Sequence, residues 1–169
     1  ISTCLAVLFA FISYLSPIAD SFLETLTTLL HPLPGLAILP VIILWFGVGT
    51  GSIIVILVHA SLWPILLNLK AGFESVPQIY IDAARNLSMN RLSIMIEVMM
   101  RSSASEFLSG IRIGWARAWR ALISAEMVFG AVGSQGGIGW YILKQRTFMN
   151  TAGLFAGIFV IIIIGLVVE

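Results

Sequence analysis

The sequence predicts an all-α fold, a polytopic transmembrane helical bundle, and three observations carry that prediction. Of 169 residues, 59% are hydrophobic and only 10% charged, whereas soluble domains average about 25% charged residues. That leaves too little polar surface to clothe a soluble globule. From Thr25 to Leu69 there is no Asp, Glu, Lys or Arg. As one helix this stretch would reach about 68 Å at about 1.5 Å per residue, against a bilayer core of about 30 Å, so it must fold back on itself.

The elements follow in order. Ile1 to Leu15 is an apolar run ended by Ser16-Pro17. It opens without a basic leader, so it reads as part of a first span cut short rather than as a signal peptide. Asp20 and Glu24 mark an interfacial connector. A second span is expected from about Pro34 to Phe46, behind an approach segment. His31-Pro32-Leu33-Pro34 and Pro40 predict a kink or break there, because proline removes a backbone donor and clashes with the preceding turn. Gly47-Val48-Gly49-Thr50-Gly51 is the expected hairpin. A third span covers about Ser52 to Leu69, with a kink at Pro64. A polar loop, about residues 70–104, holds a short helix and then an amphipathic segment from Asn90 to Met100. The fourth span covers Ser105 to Phe129. A glycine-rich loop (Gly130 to Gly139), a short interfacial helix (Trp140 to Asn150) and a last span from about Ala152 complete the chain. This makes about five spans in a single transmembrane domain over residues 1–169, read as a fragment of a longer chain.

Charge sets orientation and excludes several functions. Lys70, Arg85, Arg91 and Arg101 lie in the polar loop, against Lys144 and Arg146 on the opposite side. The excess of basic residues places the polar loop in the cytoplasm. A net charge of +1 makes no electrostatic case for nucleic acid. A lone Cys4 excludes an intrachain disulfide and a cysteine metal site. His31 and His59 stand isolated among apolar residues and read as packed side chains. No cofactor site is expected in this chain, and no phosphate-cradling motif of the G-x-x-x-x-G-K-[ST] type occurs.

Within the polar loop, Ser75 and Gln78 have the spacing of a capping box, and Pro77 suits a first helical turn. The helix is expected to run through Leu87. Ile79, Ala83 and Leu87 share one stripe, with Asp82, Arg85 and Asn86 as polar edges. Ala83 and Ala84 would let a partner backbone come close. The stretch reads as a docking surface for another protein, although a plain connector between spans fits the same spacing.

The fourth span carries Glu106, Arg112, Arg117, Arg120 and Glu126. Ionisable residues inside a span are costly and usually face protein or water. At about 100° per residue, Arg112, Trp119 and Glu126 share a face with Ala116 and Ile123. Gly110, Gly114, Ala118, Ala121 and Ala125 form the opposite, small-residue face, which allows close helix packing. The charged face is a candidate border of a translocation path, with Arg112 and Arg120 attracting an anion and Trp119 gating. A structural role is the competing reading, with Arg112 snorkelling and Glu126 paired in the bundle. Arg117 has no account beyond a partner elsewhere.

Asp82-Ala83-Ala84-Arg85-Asn86-Leu87 resembles the EAA motif in the cytoplasmic loop of ABC importer permeases. The flanks agree: Ile43-Leu44-Trp45-Phe46-Gly47-Val48-Gly49 upstream, and Gly110-Ile111-Arg112-Ile113, Arg117-Ala118-Trp119, Ala125-Glu126-Met127 and Gly136-Gly137-Ile138-Gly139-Trp140-Tyr141-Ile142 downstream. Together, over about Pro34 to Ile142, these are similar to the nitrate, sulfonate and taurine branch. Two departures stand out. Ser88 replaces a glycine that would suit a left-handed turn, and Arg101 and Ser105 stand where prolines are usual.

The resemblance implies a type I importer permease fold and a transport subunit that is not itself an enzyme. It would sit in the bacterial plasma membrane and form half of a pore with a second permease subunit, identical or different. An extracytoplasmic solute-binding protein would feed it. A cytoplasmic ABC ATPase dimer would hold the ATP and Mg and grip Ser75, Gln78, Ile79, Asp82, Ala83, Ala84, Arg85, Leu87 and Ser88. A membrane-embedded enzyme using Glu126, Arg112 and His59, and an ion-coupled carrier, are the alternatives.

Overall fold

The computed structural model describes residues 1–130 and 136–168. Every element among them is helical: α1 Ser2–Leu15, α2 Pro17–Leu30, α3 Gly35–Phe46, α4 Thr50–Glu74, α5 Gln78–Asn86, α6 Arg91–Ser93, a π-helical turn Ile94–Met99, α7 Met100–Ser102, α8 Ala104–Phe129, α9 Ile138–Thr147 and α10 Thr151–Val168. The middle of the expected glycine-rich loop, residues 131–135, lies outside the described residues.

Punctuation residues act close to where they stand. Ser16 ends α1 in an extended conformation, and its hydroxyl caps α2 by accepting from the Ala19 N–H, with Pro17 in the first turn. The break expected around the prolines falls between Leu30 and Gly35, where Pro34 is extended and caps α3. The helix then runs through Pro40 without interruption. Gly47, at φ +71, ends α3 with its N–H on the Ile43 carbonyl at 2.8 Å. The Ser52 hydroxyl donates back to the Gly47 carbonyl, closing the turn into α4. α4 is longer than its expected span and continues to Glu74. α4 runs through Pro64, whose carbonyl accepts from the Asn68 side-chain amide at 2.8 Å.

The chain forms two compact units, with α4 and α8 each contributing to both. The first comprises Ile1–Pro32 and Ser61–Gly114. Its core runs from Ala6 and Ala10 of α1 through Leu66, Leu69 and Phe73 of α4 to Ile81, Ala84, Met95 and Met99 of the loop. Gly110 and Gly114 of α8 lie against α4. A Cβ on Gly114 would stand 2.9 Å from the Ser61 carbonyl, so the small-residue face is used for close helix approach. The second unit comprises Leu33–Ala60 and Trp115–Glu169. Leu39 and Ile42 of α3 pack there with Ile53 and Ile56 of α4 and Ala125 of α8.

By length and composition, α4 with 25 residues qualifies by itself to cross a bilayer. α1 and α10 are apolar but shorter. α8 has 26 residues and carries five ionisable ones.

Candidate functional site

The polar loop between α4 and α8 is built in layers. Ser75 belongs to the closing turn of α4, not to a capping box of α5. Its N–H bonds the Ala71 carbonyl at 3.0 Å, and its hydroxyl donates to the Gly72 carbonyl at 2.8 Å. Gln78 likewise does not reach back. Its amide donates to Asp82 Oδ1 at 2.9 Å. The expected reciprocal cap fails because Val76 is buried in the core, which ties Ser75 to α4, and Pro77 in extended conformation starts the new helix. Arg85 also reaches Asp82, at 3.3 Å. Both partners are more than half exposed, so this pair adds little stability.

α5 is amphipathic over nine residues. Ile81 and Ala84 face inward, and Ala84 is only 4% exposed. Ile79 and Leu87 are 71% and 77% exposed, and Tyr80 and Ala83 are exposed beside them. The two alanines therefore differ: Ala83 faces outward while Ala84 packs in the chain's own core. Of the two alanines expected to admit a partner backbone, Ala84 is covered by its own chain and Ala83 is at the surface.

The helix ends in a Schellman motif. Ser88 adopts φ +58, its N–H bonds the Arg85 carbonyl at 2.9 Å, and the Met89 N–H bonds the Ala84 carbonyl at 3.1 Å. These two bonds, with a left-handed residue after the cap, define the motif. The departure from glycine at this position thus leaves the turn geometry in place. Asn90 then caps the next helix, its side chain accepting from the Ser93 N–H at 2.8 Å.

The residues singled out on α8 do not gather into a compact site. Arg112 and Glu126 are 14 positions apart, about 21 Å along a helix. Arg112 and Arg120 are exposed and Trp119 is half-buried. The Arg120 Nε–H donates to the Ala116 carbonyl at 3.0 Å. Glu126 Oε2 accepts from the Gly139 N–H at 2.8 Å, at the start of α9. An anionic carboxylate suits a helix N-terminus. A Cβ on Gly139 would collide with the Ile123 carbonyl and with Glu126, so this approach requires glycine.

Sequence reading did not foresee a polar latch in the first unit. Asp20 accepts from the Lys70 ammonium and from the Ser13 hydroxyl, joining α1, α2 and the loop end of α4. These bonds hold the Asp20 carboxyl below the usual carboxylate range, the Lys70 bond first and the Ser13 bond next. The separate signals, an Asp on a connector and a Lys at a helix end, are visible in the sequence, but their pairing across 50 positions is not. Among the described residues no group of three or more His, Cys, Asp or Glu is arranged to hold a metal.

Among the described residues the chain is thus helical in every element, strongly apolar, and exposes a short amphipathic helix between two long ones. Residues 2–169 match the family described as "binding-protein-dependent transport system inner membrane component", and the chain belongs to that family. It is 34% identical to the taurine transport system permease protein of Escherichia coli strain K12 over 155 residues, 92% of this chain and 55% of that protein. It is 27% identical to the nitrate import permease protein of Leptolyngbya laminosa over 147 residues, 87% of this chain and 51% of that protein. With the nitrate import permease protein of a Synechocystis species the identity is 26% over 147 residues, 87% and 52% of the two chains. The chain spans about half the length of these curated relatives. Its relatives thus include a taurine permease and two nitrate permeases.

Proposed function

We propose that this chain forms the solute pathway of an ATP-driven importer for a small anion such as nitrate, a sulfonate, taurine or bicarbonate, in a bacterial inner membrane. α1, α3, α4, α8 and α10 are its five crossings, with α2 as the interfacial connector that carries Asp20 and Glu24. It pairs with a second permease subunit, receives solute from an extracytoplasmic binding protein, and carries no nucleotide of its own. ATP and Mg belong to a cytoplasmic ATPase pair.

The observation that carries this reading is the division of α5 into two faces. Ile81 and Ala84 bind it to its own chain, while Ile79, Tyr80, Ala83 and Leu87 stand exposed. A helix held on one side and apolar on the other is read as an anchor for a partner groove. Asp82, Arg85 and Gln78 rim it with polar groups. ATP binding in the partner then favours one of two arrangements of the spans, and such a shift requires the nucleotide to discriminate between them. Arg112, Trp119 and Arg120 on α8 are the residues proposed to border the solute path. Glu126 is proposed to hold α9 against α8 at its edge.

The test contrasts the two alanines. Ala83→Leu, on the exposed face, removes the co-purifying ATPase and ATP-driven uptake while amide exchange in α5 stays as in the parent. Ala84→Leu overfills the core and loosens α5 itself, at a cost of about 1–3 kcal/mol. Uptake that persists with every ATPase subunit deleted refutes the proposal, and points to an ion-coupled carrier.

A further inference from the structure

The segment joining α5 to α8 is built around the π-helical turn Ile94–Met99, and we propose that this turn is the hinge through which a displacement of α5 reaches α8. This rests on the reading of α5 as the ATPase anchor and adds the element that transmits the motion.

The geometry is that of a single residue inserted into a helix. Arg91–Ser93 and Met100–Ser102 are α-helical on either side, and the Met100 N–H bonds the Met95 carbonyl five residues back. Such a turn holds one residue more than an α turn. The insertion has a packing consequence. On an uninterrupted α-helix Ile94 and Met99 would stand about 140° apart, five steps of about 100°. The wider turn brings them round together, and with Met95 they are buried in the cluster that also contains Ile81 and Ala84. Ile96 and Glu97 face outward.

Three features make the turn a hinge. Helices bend at π turns, because the backbone ladder changes register there. The buried cluster that the turn shares with α5 includes Met95 and Met99, with Met89 and Met100 packed against it. Unbranched methionines re-pack as their neighbours shift. The far end, by contrast, is pinned. Ser103 is fully buried between α7 and α8, its hydroxyl on the Met99 carbonyl at 2.7 Å. A Cβ on Gly72 would stand 2.7 Å from the Ser103 Cβ, so the joint lies hard against α4. A push on α5 arrives at Met95 and Met99, Ser103 acts as the fulcrum, and α8 is the second arm.

The experiment uses the assembled transporter in liposomes. Deleting Ile96, whose side chain is exposed, converts the π turn to an α turn while leaving the flanking helices in phase. The ATPase then still co-purifies and hydrolyses ATP, and ATP-driven uptake falls by about tenfold or more, the size of an ordinary coupling free energy. In parallel, spin labels at Asn86→Cys and Ser105→Cys, in a Cys4→Ser background with the turn intact, report a distance that changes on ATP binding. Wild-type uptake by the deletion variant overturns the proposal. So does a label distance that is the same with and without ATP, since the segment then moves as one rigid body. Should the deletion variant not assemble, the label distance decides. Failure of the anchor reading is separately recognisable, because the ATPase would then not co-purify with the unaltered chain.

Discussion

Replacing Ser88 with glycine should tighten the end of α5. Ser88 holds φ +58, a left-handed conformation that costs a non-glycine residue about 1–2 kcal/mol. Glycine adopts it freely but loses about 0.5–1 kcal/mol more backbone entropy on folding. The net expected gain is about 0.5–1 kcal/mol, felt at the two bonds of the closing turn, from Ser88 N–H to Arg85 O and from Met89 N–H to Ala84 O. At about 1.4 kcal/mol per tenfold, amide exchange at positions 88 and 89 slows about two- to fivefold. Hydrogen–deuterium exchange on the permease in lipid nanodiscs reads this directly, with α10 as the internal reference. Ser88→Val must move the other way, because a β-branched side chain tolerates this conformation least. Exchange that is unchanged or faster in Ser88→Gly would refute the argument that the turn stores backbone strain.

Three further outcomes follow from the packing. Gly139→Ala places a methyl against the Ile123 carbonyl and Glu126. It should separate the start of α9 from α8 and lower thermal stability by about 1–3 kcal/mol, whereas Glu126→Gln, which retains an acceptor for the Gly139 N–H, should cost less. Gly114→Ala meets the Ser61 backbone and should destabilise the α4–α8 contact by a similar amount, read as a lower midpoint in a detergent melt. The Asp20 carboxyl is depressed by Lys70 and Ser13, so its stabilisation is complete above the unfolded value of about 3.9 and is lost as pH falls through the lower folded value. A melt series from pH 5 downward should show this loss in the parent and not in Asp20→Asn.

How far the site was legible depends on the range of the interaction. The stripe Ile79, Ala83 and Leu87 is a matter of helical period, and all three stand exposed. The capping box was misleading because Ser75 had a competing carbonyl, that of Gly72, which only the continuation of α4 to Glu74 places within reach. Ala83 and Ala84 look alike in sequence. One faces out and the other in because Ile81 and Ala84 of α5 join the buried cluster that also holds Met95 and Met99, and Ala83 does not. On α8, Gly110 and Gly114 are buried and Arg112 is exposed, as helical period alone would have it, but the bond from Gly139 to Glu126 lay beyond any local pattern.

The sequence by itself determined the helical class, the prolines and glycines that break it, the polar loop and the family signature, because composition, period and backbone restriction act over a few residues. Only the tertiary structure decided which alanine is free, where the Asp20 and Glu126 carboxylates are held, and that the loop contains a π turn. Those outcomes depend on which distant groups compete for the same face or the same proton, and that competition is settled when the core closes.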